Sequence, residues 1–530
     1  MKQYTLTFVD TRDIQKYIFG TNNLQQNVGA SYLVDCATRQ WVVESLPHPH
    51  NVININAAGT DEKLNEHRIE EGGLAAELLY TGGGNAAILF CSQPLAVEFA
   101  RCLTRKALLK APGLNMTLAH NSFDWEEGSL YKALDQTKGI LAKRKADQPA
   151  STPLLGLGVT AACVYTGLPA VGYDEGRLFG AEVEAKINAA KKANDRLEEL
   201  LDLQGYEIPT NFEELGRTKG ESSYIAIVHS DGNRMGERIM KYTESNSSSN
   251  RSLIRALRNF SNSIEQTFLE ALRETTSQLV ESVEKDEKTI AGVIELQEDK
   301  LPFRPIVFGG DDLTFVCDGR LGLALTTHYL RELAQKKLVD NMPVHCRAGV
   351  AVVKTRFPFA RGYALAEALC ASAKRRITEL RERREGDVTA LDWHFATAGL
   401  LDDLETIRNR EYTVRESTVQ EDKLLYLRPV SLNCAEDWRS WANFERIIQE
   451  FKDEPWQDRR NKVKALREIL RTGSDDAVEY FLTAHSMTGL PDIPEMPDMK
   501  HKGWQGKRCG YFDAIEAMDF YIPLKGGQEK

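Results

Sequence analysis

Two acidic features of the sequence are placed to hold a hard divalent cation. Asp231 closes the run Tyr224-Ile-Ala-Ile-Val-His-Ser, and Phe308-Gly-Gly-Asp-Asp312 sits between Ile306-Val-Phe and Leu313-Thr-Phe. Phosphoryl-transfer sites hold Mg2+ or Mn2+ on one or two aspartates together with substrate phosphates. Carboxylates at the ends of neighbouring strands, about 4.8 Å apart, can share such an ion. Asp231, Asp311 and Asp312 are therefore the candidate catalytic and metal-binding residues, and the chemistry they suit is nucleotidyl transfer from a nucleoside triphosphate.

The surrounding residues fit that reading. Gly309 and Gly310 permit a tight turn and a close approach of phosphate or base. Gly232-Asn233-Arg234-Met235-Gly236 leads into a helix, whose first N–H groups are unpaired and whose dipole favours anions. A triphosphate resting there would meet a neutralising charge from Lys374, with Arg375 or Arg376 behind it. The plainer alternatives are a simple Gly/Asp turn and a solvated basic helix face. The strand-ending aspartate upstream and the lysine helix downstream favour the metal–nucleotide site.

The elements that must position these residues occur twice. A strand ending at Asp10 is echoed by the one ending at Asp231, and Thr81-Gly-Gly-Gly-Asn85 by Phe308-Gly-Gly-Asp-Asp312. A strand near Met116 to Phe123 is echoed by His345 to Val353, and Ala142-Lys-Arg-Lys145 by Ala373-Lys-Arg-Arg376. Val159-Thr-Ala161 is echoed by Val388-Thr-Ala390. From Asp10 to Gly82 is 72 residues, against 78 from Asp231 to Gly309. Each copy reads as the split β-α-β plan of a ferredoxin-like domain. Leu253, Leu257, Phe260, Ile264, Phe268 and Leu272 form one apolar helical stripe, and Leu365, Leu369, Ala373, Ile377 and Leu380 another.

The predicted fold is α+β: two ferredoxin-like palm domains, a helical linker and a helical C-terminal domain. The expected boundaries are 1–170, 171–222, 223–398 and 399–530. The first copy lacks the acids of the second, since its hairpin reads Gly82-Gly83-Gly84-Asn85. It is expected to be non-catalytic, and to bind a second nucleotide through Gly83 and Ser31 or merely to pack. Ser31, in Gly29-Ala-Ser-Tyr32, is either a helix N-cap or a nucleotide contact. The C-terminal tryptophans 438, 441, 456 and 504 are expected in a core.

Bulk properties set limits. The 530 residues carry a net charge of −10, so nucleic-acid binding would need a local basic groove or partner subunits. Nine scattered cysteines form no Cys-x-x-Cys pair, which points away from a zinc ribbon or a thioredoxin-type site. No apolar run approaches the length of a membrane span and no secretory h-region opens the chain. A cytoplasmic location is the default expectation.

The combination resembles a known family. Asp13-Ile-Gln-Lys-Tyr-Ile-Phe19 with Gly29-Ala-Ser31, Ser230-Asp-Gly-Asn-Arg-Met-Gly236, Gly-Gly-Asp-Asp at 309–312 and Ala373-Lys374 look like the large polymerase/cyclase subunit of type III CRISPR effector complexes. The resemblance covers roughly residues 1–395. It implies synthesis of cyclic oligoadenylates from ATP, a second messenger of antiviral defence, with other effector subunits and guide or target RNA as partners. Three departures stand out. The sequence starts at the palm and contains no His-Asp dipeptide, so DNA cleavage by an HD domain is not expected. The zinc-type cysteines between the palms are missing, Cys163 standing alone. The family's Asp-x-Asp motif reads Asp231-Gly-Asn233. Two rival readings are a non-catalytic palm subunit that scaffolds an RNA-guided complex and senses RNA, and a GGDEF-like dinucleotide cyclase. The latter class places Glu where this chain has Asp312, and has one palm per chain.

Overall fold

The computed structural model describes residues 3–53, 66–147, 156–174, 176–215, 223–383, 386–396, 402–415, 422–434 and 437–525. The first palm contains β1 (Gln3–Arg12), α1 (Leu24–Thr38), β2 (Ala76–Gly82), β3 (Asn85–Phe90), α2 (Gln93–Lys110), β4 (Asn115–Asp124) and α3 (Leu130–Asp147). A linker helix, α4 (Ala181–Leu200), follows. The second palm contains β5 (Tyr224–Gly232), α5 (Met235–Ser245), α6 (Asn250–Glu281), β6 (Phe303–Gly309), β7 (Asp312–Asp318), α7 (Gly322–Gln335), β8 (Cys346–Lys354), α8 (Phe359–Arg381) and β9 (Ala390–Ala396).

The internal repeat is visible in the sheets. The first sheet runs β2-β3-β1-β4, and the second begins β6-β7-β5-β8, which is the same order. Both also carry an irregularity at the same place, between Leu78 and Tyr80 in β2 and between Pro305 and Val307 in β6. Such a bulge bends the strand and re-aims the residues beyond it, here the two glycine hairpins. The helices close the sheets with the stripes read from the sequence. Leu253, Leu257, Phe260, Phe268 and Leu272 of α6 are buried, with Ile264 partly so, each full burial contributing roughly 1.5–3 kcal/mol.

The two copies part after the fourth strand. In the second palm, α8 crosses over and β9 runs parallel to β8. In the first, Val159-Thr-Ala161, expected as the equivalent strand, is a turn. Val159 is 93% exposed, and the N–H and hydroxyl of Thr160 both donate to the Leu157 carbonyl. That local hydrogen bonding competes with a ladder. The chain there forms a hairpin of Gly172–Asp174 and Arg177–Phe179 instead. The linker helix α4 crosses α1 at Gly29, where a Cβ would stand 1.8 Å from the Lys186 carbonyl oxygen. Only glycine admits so close a crossing.

The C-terminal part is neither wholly helical nor separate. Its strand β10 (Val430–Ser431) pairs with β9 as the sixth strand of the second palm sheet, and four short strands form a further small sheet. Its helix α9 (Trp441–Glu450) brings Trp441 and Phe444 onto Trp393 of β9, ring centroids 6.1 and 4.7 Å away. Trp441, Trp456 and Trp504 are buried and Trp438 is partly so. The expected boundary at 398–399 and the linker's end at 222 lie outside the described residues. Among the described residues, no helix is long and apolar enough to cross a membrane.

Candidate active site

β5 is apolar from Ile225 to Val228 and lies mid-sheet between β7 and β8. Its register places Asp231 directly opposite Asp312 on β7 and beside Arg347 on β8. The β6–β7 hairpin turns through Gly310 and Asp311. The Asp311 carbonyl accepts from the Gly232 N–H at 3.2 Å, and a Cβ on residue 232 would stand 2.9 Å from that of Asp311. Glycine at 232 is what lets the hairpin lie against the end of β5. Asp231, Asp311 and Asp312 thus meet at one end of the sheet.

Their electrostatics differ. Asp231 is half-buried and ion-paired with Arg347. Burial raises its pKa, while the nearby charges of Arg347 and Lys374 pull it down. Among the described residues, no basic side chain pairs with Asp311 or Asp312. Crowding by protein, then the charge of Asp231, raises Asp311; crowding, then Asp311 and Asp231, raises Asp312. The Arg347 charge offsets this only in part; two adjacent carboxylates repel each other, and hard oxygen donors in that state suit a divalent cation. The set is not preassembled, however. Among the described residues no group of three or more Asp, Glu, His or Cys side chains is gathered as a cation site, and Asp231 is already engaged by Arg347. Behind the acids, burial and then the Arg347 charge lower His229 to about 4, which leaves it neutral at physiological pH.

The turn after Asp231 differs in detail from the sequence reading. Asn233 is buried, its Nδ2 donating to the Val388 carbonyl at 2.9 Å and to Asp387 at 3.3 Å. Met235 is buried too. Neither side chain is placed to touch a nucleotide. The N–H groups of Gly232 and Asn233 are taken by the carbonyls of Asp311 and His345. An anion would therefore meet the first turn of α5, from Met235 and Gly236 onward. Arg234 enters that turn in the left-handed conformation with φ 55° and pairs with Glu237. Lys374 is exposed on α8 and its charge reaches Asp231. Arg376 points the other way, buried against Asp437 at 2.7 Å, because that face of α8 covers the C-terminal part.

The first palm keeps the frame without the acids. Asp10 lies opposite Asn85, as Asp231 lies opposite Asp312. Its carboxylate is paired with Lys145 at 2.6 Å, rather than with Lys143, the residue matched to Lys374 by spacing. Asp13 has φ 55°, the same as Arg234. The two hairpin tips meet: a Cβ on Gly310 would lie 3.6 Å from the Gly83 Cα. Both tips are left-handed, φ 58° at Gly83 and 69° at Gly310, so both need glycine. Gly83 is thereby placed against the other hairpin. Ser31 is not an N-cap, since α1 starts seven residues earlier with Asn23 capping the Gln26 N–H. It lines a small cavity with Tyr32, Asp35, Arg196, Arg304 and Phe308.

Two sets of residues escaped the sequence reading. Arg347 is one. The other lies between the palms, where Arg39 pairs with Asp35 at 2.8 Å and Glu265 at 2.7 Å, and Asp35 also takes Arg196. Arg39 and Arg196 line a cleft with Gly309, Gly310 and Asp312. The available signal was a lone basic residue at the head of an apolar strand, and acids and bases spaced one helical turn apart.

Fold and site together define a double-palm architecture with acidic side chains at one end of the second sheet. Residues 224–382 match the family model of the Cas10/Cmr2 second palm domain. Among solved structures, Csm1 from T. onnurineus is similar at 15% identity and a TM-score of 0.55, over 98% of this chain and 70% of that one. A Csm1–Csm4 cassette in complex with cA3 is similar at 14% identity and a TM-score of 0.53, over 98% and 70%. One in complex with AMPPNP is similar at 15% and 0.52, with the same coverage. None of the curated proteins matches the chain. The second palm is thus similar to the Cas10/Cmr2 second palm domain, and the resemblance to type III CRISPR large subunits read from the sequence holds.

Proposed function

We propose that the chain is a nucleotidyltransferase that joins ATP into cyclic oligoadenylates as part of a type III CRISPR antiviral response. The observation that carries this reading is the adjacent pair Asp311–Asp312, without an ion pair among the described residues, at the strand end opposite Asp231. A palm that only packs has no use for adjacent carboxylates that repel each other. Fold neighbours in complex with cA3 and with AMPPNP support adenine nucleotides as the substrate class.

In this reading Asp311 and Asp312, with Asp231, would hold Mg2+ or Mn2+. When bound, the cation supplies charge neutralisation at the phosphates and acidifies the attacking hydroxyl. The protein does the rest. The first turn of α5 and Lys374 hold the triphosphate of one ATP. The hairpin contact at Gly83 and Gly310 sets the two palms face to face, so that a second nucleotide on the first palm presents its 3′-hydroxyl. That oxygen attacks the α-phosphorus, the α–β phosphoanhydride bond breaks, pyrophosphate leaves and the hydroxyl proton passes to water. A Csm4-like subunit is an expected partner by analogy with the cassettes, and guide or target RNA is expected from the resemblance read in the sequence.

The Arg347–Asp231 pair and the neutral Asn233 favour the alternative of a non-catalytic scaffold. Purified chain incubated with each triphosphate and Mg2+ or Mn2+, with and without RNA and partner subunits, separates the two. The expected result is a phosphatase-resistant adenylate product that disappears in Asp311→Ala/Asp312→Ala. Product that persists in that variant rules out the assigned site, and no product under any condition favours the scaffold.

A further inference from the structure

We infer that Arg347 takes the place of one cation in this site, so that the chain works with a single divalent ion. The inference rests on the metal-site reading above and deepens it. Three oxygens converge where β5 ends: the Asp231 carboxylate, the Gly232 carbonyl and the Asn233 amide oxygen. Arg347 fills the space among them. Its Nη2 donates to Asp231, and its Nη1 donates to the Gly232 carbonyl at 3.1 Å and to Asn233 Oδ1 at 3.2 Å.

A carboxylate, a backbone carbonyl and a side-chain carbonyl form the kind of all-oxygen set that a hard cation takes. Here a guanidinium occupies it, and its fork of donors satisfies several acceptors at once. The placement is built in. Arg347 is the residue of β8 in register with Asp231, its side chain is 13% exposed, and its own carbonyl accepts from the Cys370 thiol of α8 at 3.7 Å.

Asn233 belongs to the same arrangement. Its Nδ2 is fixed on the Val388 carbonyl, which aims its Oδ1 at Arg347. An aspartate there would add a negative charge beside Asp231 and favour a metal ion over the guanidinium. A neutral amide matches a monovalent side chain. The charge balance leaves Asp311 and Asp312, which have no basic partner among the described residues, as the place for one divalent ion.

The test counts Mn2+ bound per chain, from the loss of the free-ion electron paramagnetic resonance signal. The full-length protein carries one equivalent of a non-hydrolysable ATP analogue. Wild type should bind one ion, and so should Arg347→Lys, which keeps the charge. Arg347→Met should bind two, and the second ion should be lost again when Asp231→Asn is added. A single thermal transition for each variant confirms folding. If Arg347→Met does not fold, a count of one for wild type with two for Arg347→Gln supports the inference equally. Two ions in wild type, or an unchanged count in the folded Arg347 variants that lose the charge, overturn the single-ion inference alone. No Mn2+ in wild type, or wild-type binding by Asp311→Ala/Asp312→Ala, overturns the metal site and this inference with it.

Discussion

Replacing Asp311 and Asp312 by asparagine should make the metal-free protein more stable. Asp312 stands directly opposite Asp231, and Asp311 lies beside both. Two like charges about 5 Å apart at an effective dielectric of about 20 repel by about 3 kcal/mol. Solvent access to Asp312 and ordinary salt cut that to about 1–2 kcal/mol, and the Asp231 charge is already partly matched by Arg347. The expected gain for Asp311→Asn/Asp312→Asn is therefore about 1–2 kcal/mol, or a Tm higher by roughly 1–2 °C for 530 residues melting as one unit. The sign of its pH dependence follows from the raised pKa values. An acid harder to ionise in the folded state opposes folding only once ionised. The advantage of the variant should be absent below the ordinary carboxylate range, grow as pH rises through the raised values and be full in mild alkali. Divalent cation should offset most of that gain. Mg2+ at ten times its dissociation constant stabilises the form that binds it by about 1.4 kcal/mol, so it should raise the Tm of wild type and leave the variant unmoved. Melting curves at pH 4, 7 and 8.5, with EDTA and with Mg2+, test both parts. A variant that melts at or below wild type in EDTA at pH 8.5, or that gains as much from Mg2+, refutes the reasoning.

Four further outcomes are expected. Lys374→Ala should leave the stability within about 0.5 kcal/mol of wild type, because the side chain is exposed. It should raise the KM for ATP roughly tenfold, the loss of about 1.4 kcal/mol of binding; Arg376→Ala should instead cost about 3–5 kcal/mol of stability by orphaning buried Asp437. Gly310→Ala should cost about 1–2 kcal/mol from its left-handed backbone, and should depress product formation more than Lys374→Ala does if the hairpin contact sets the two palms. His229, held down to about 4, gives stability that is complete above about pH 6.5 and lost as pH falls toward 4; His229→Gln should flatten that part of the acid-unfolding curve, worth at most about 3 kcal/mol.

The acid cluster was legible because its two halves are local signals: an aspartate ending an apolar strand, and a glycine hairpin between apolar strands. The palm pairing was legible from repetition. What stayed hidden depended on register or on competing local bonds. Whether Arg347 stands beside Asp231 depends on how β8 slides against β5, and a shift of one residue would send it to the other face. Ser31 was read as opening a helix because the Asn-rich loop before it looks like a break. The stronger cap is Asn23, so the helix starts earlier and Ser31 falls mid-helix. The tripeptide Val159-Thr-Ala161 copies the one at 388 yet makes a turn: Val388 is fully buried, whereas Val159 is exposed and gains no burial to reward a strand.

The two palms also separate what a glycine does for folding from what it does for chemistry. Gly83 sits in a hairpin that lacks the acids, yet it has the same left-handed backbone as Gly310 and touches it across the interface. Its presence is accounted for by that contact, with no ligand needed. Gly310 answers to the same contact, so the glycines by themselves say nothing about catalysis. The difference between the copies lies in the residues that follow, Gly84-Asn85 against Asp311-Asp312, and in the counter-ions at the strand ends. Asp10 is closed off by a lysine from a helix, outside the sheet. Asp231 is met by an arginine from the adjacent strand, on the side away from the hairpin. The same frame thus carries one half whose strand-end acid is paired from a helix and another whose strand-end acid is paired within the sheet and faces two further carboxylates.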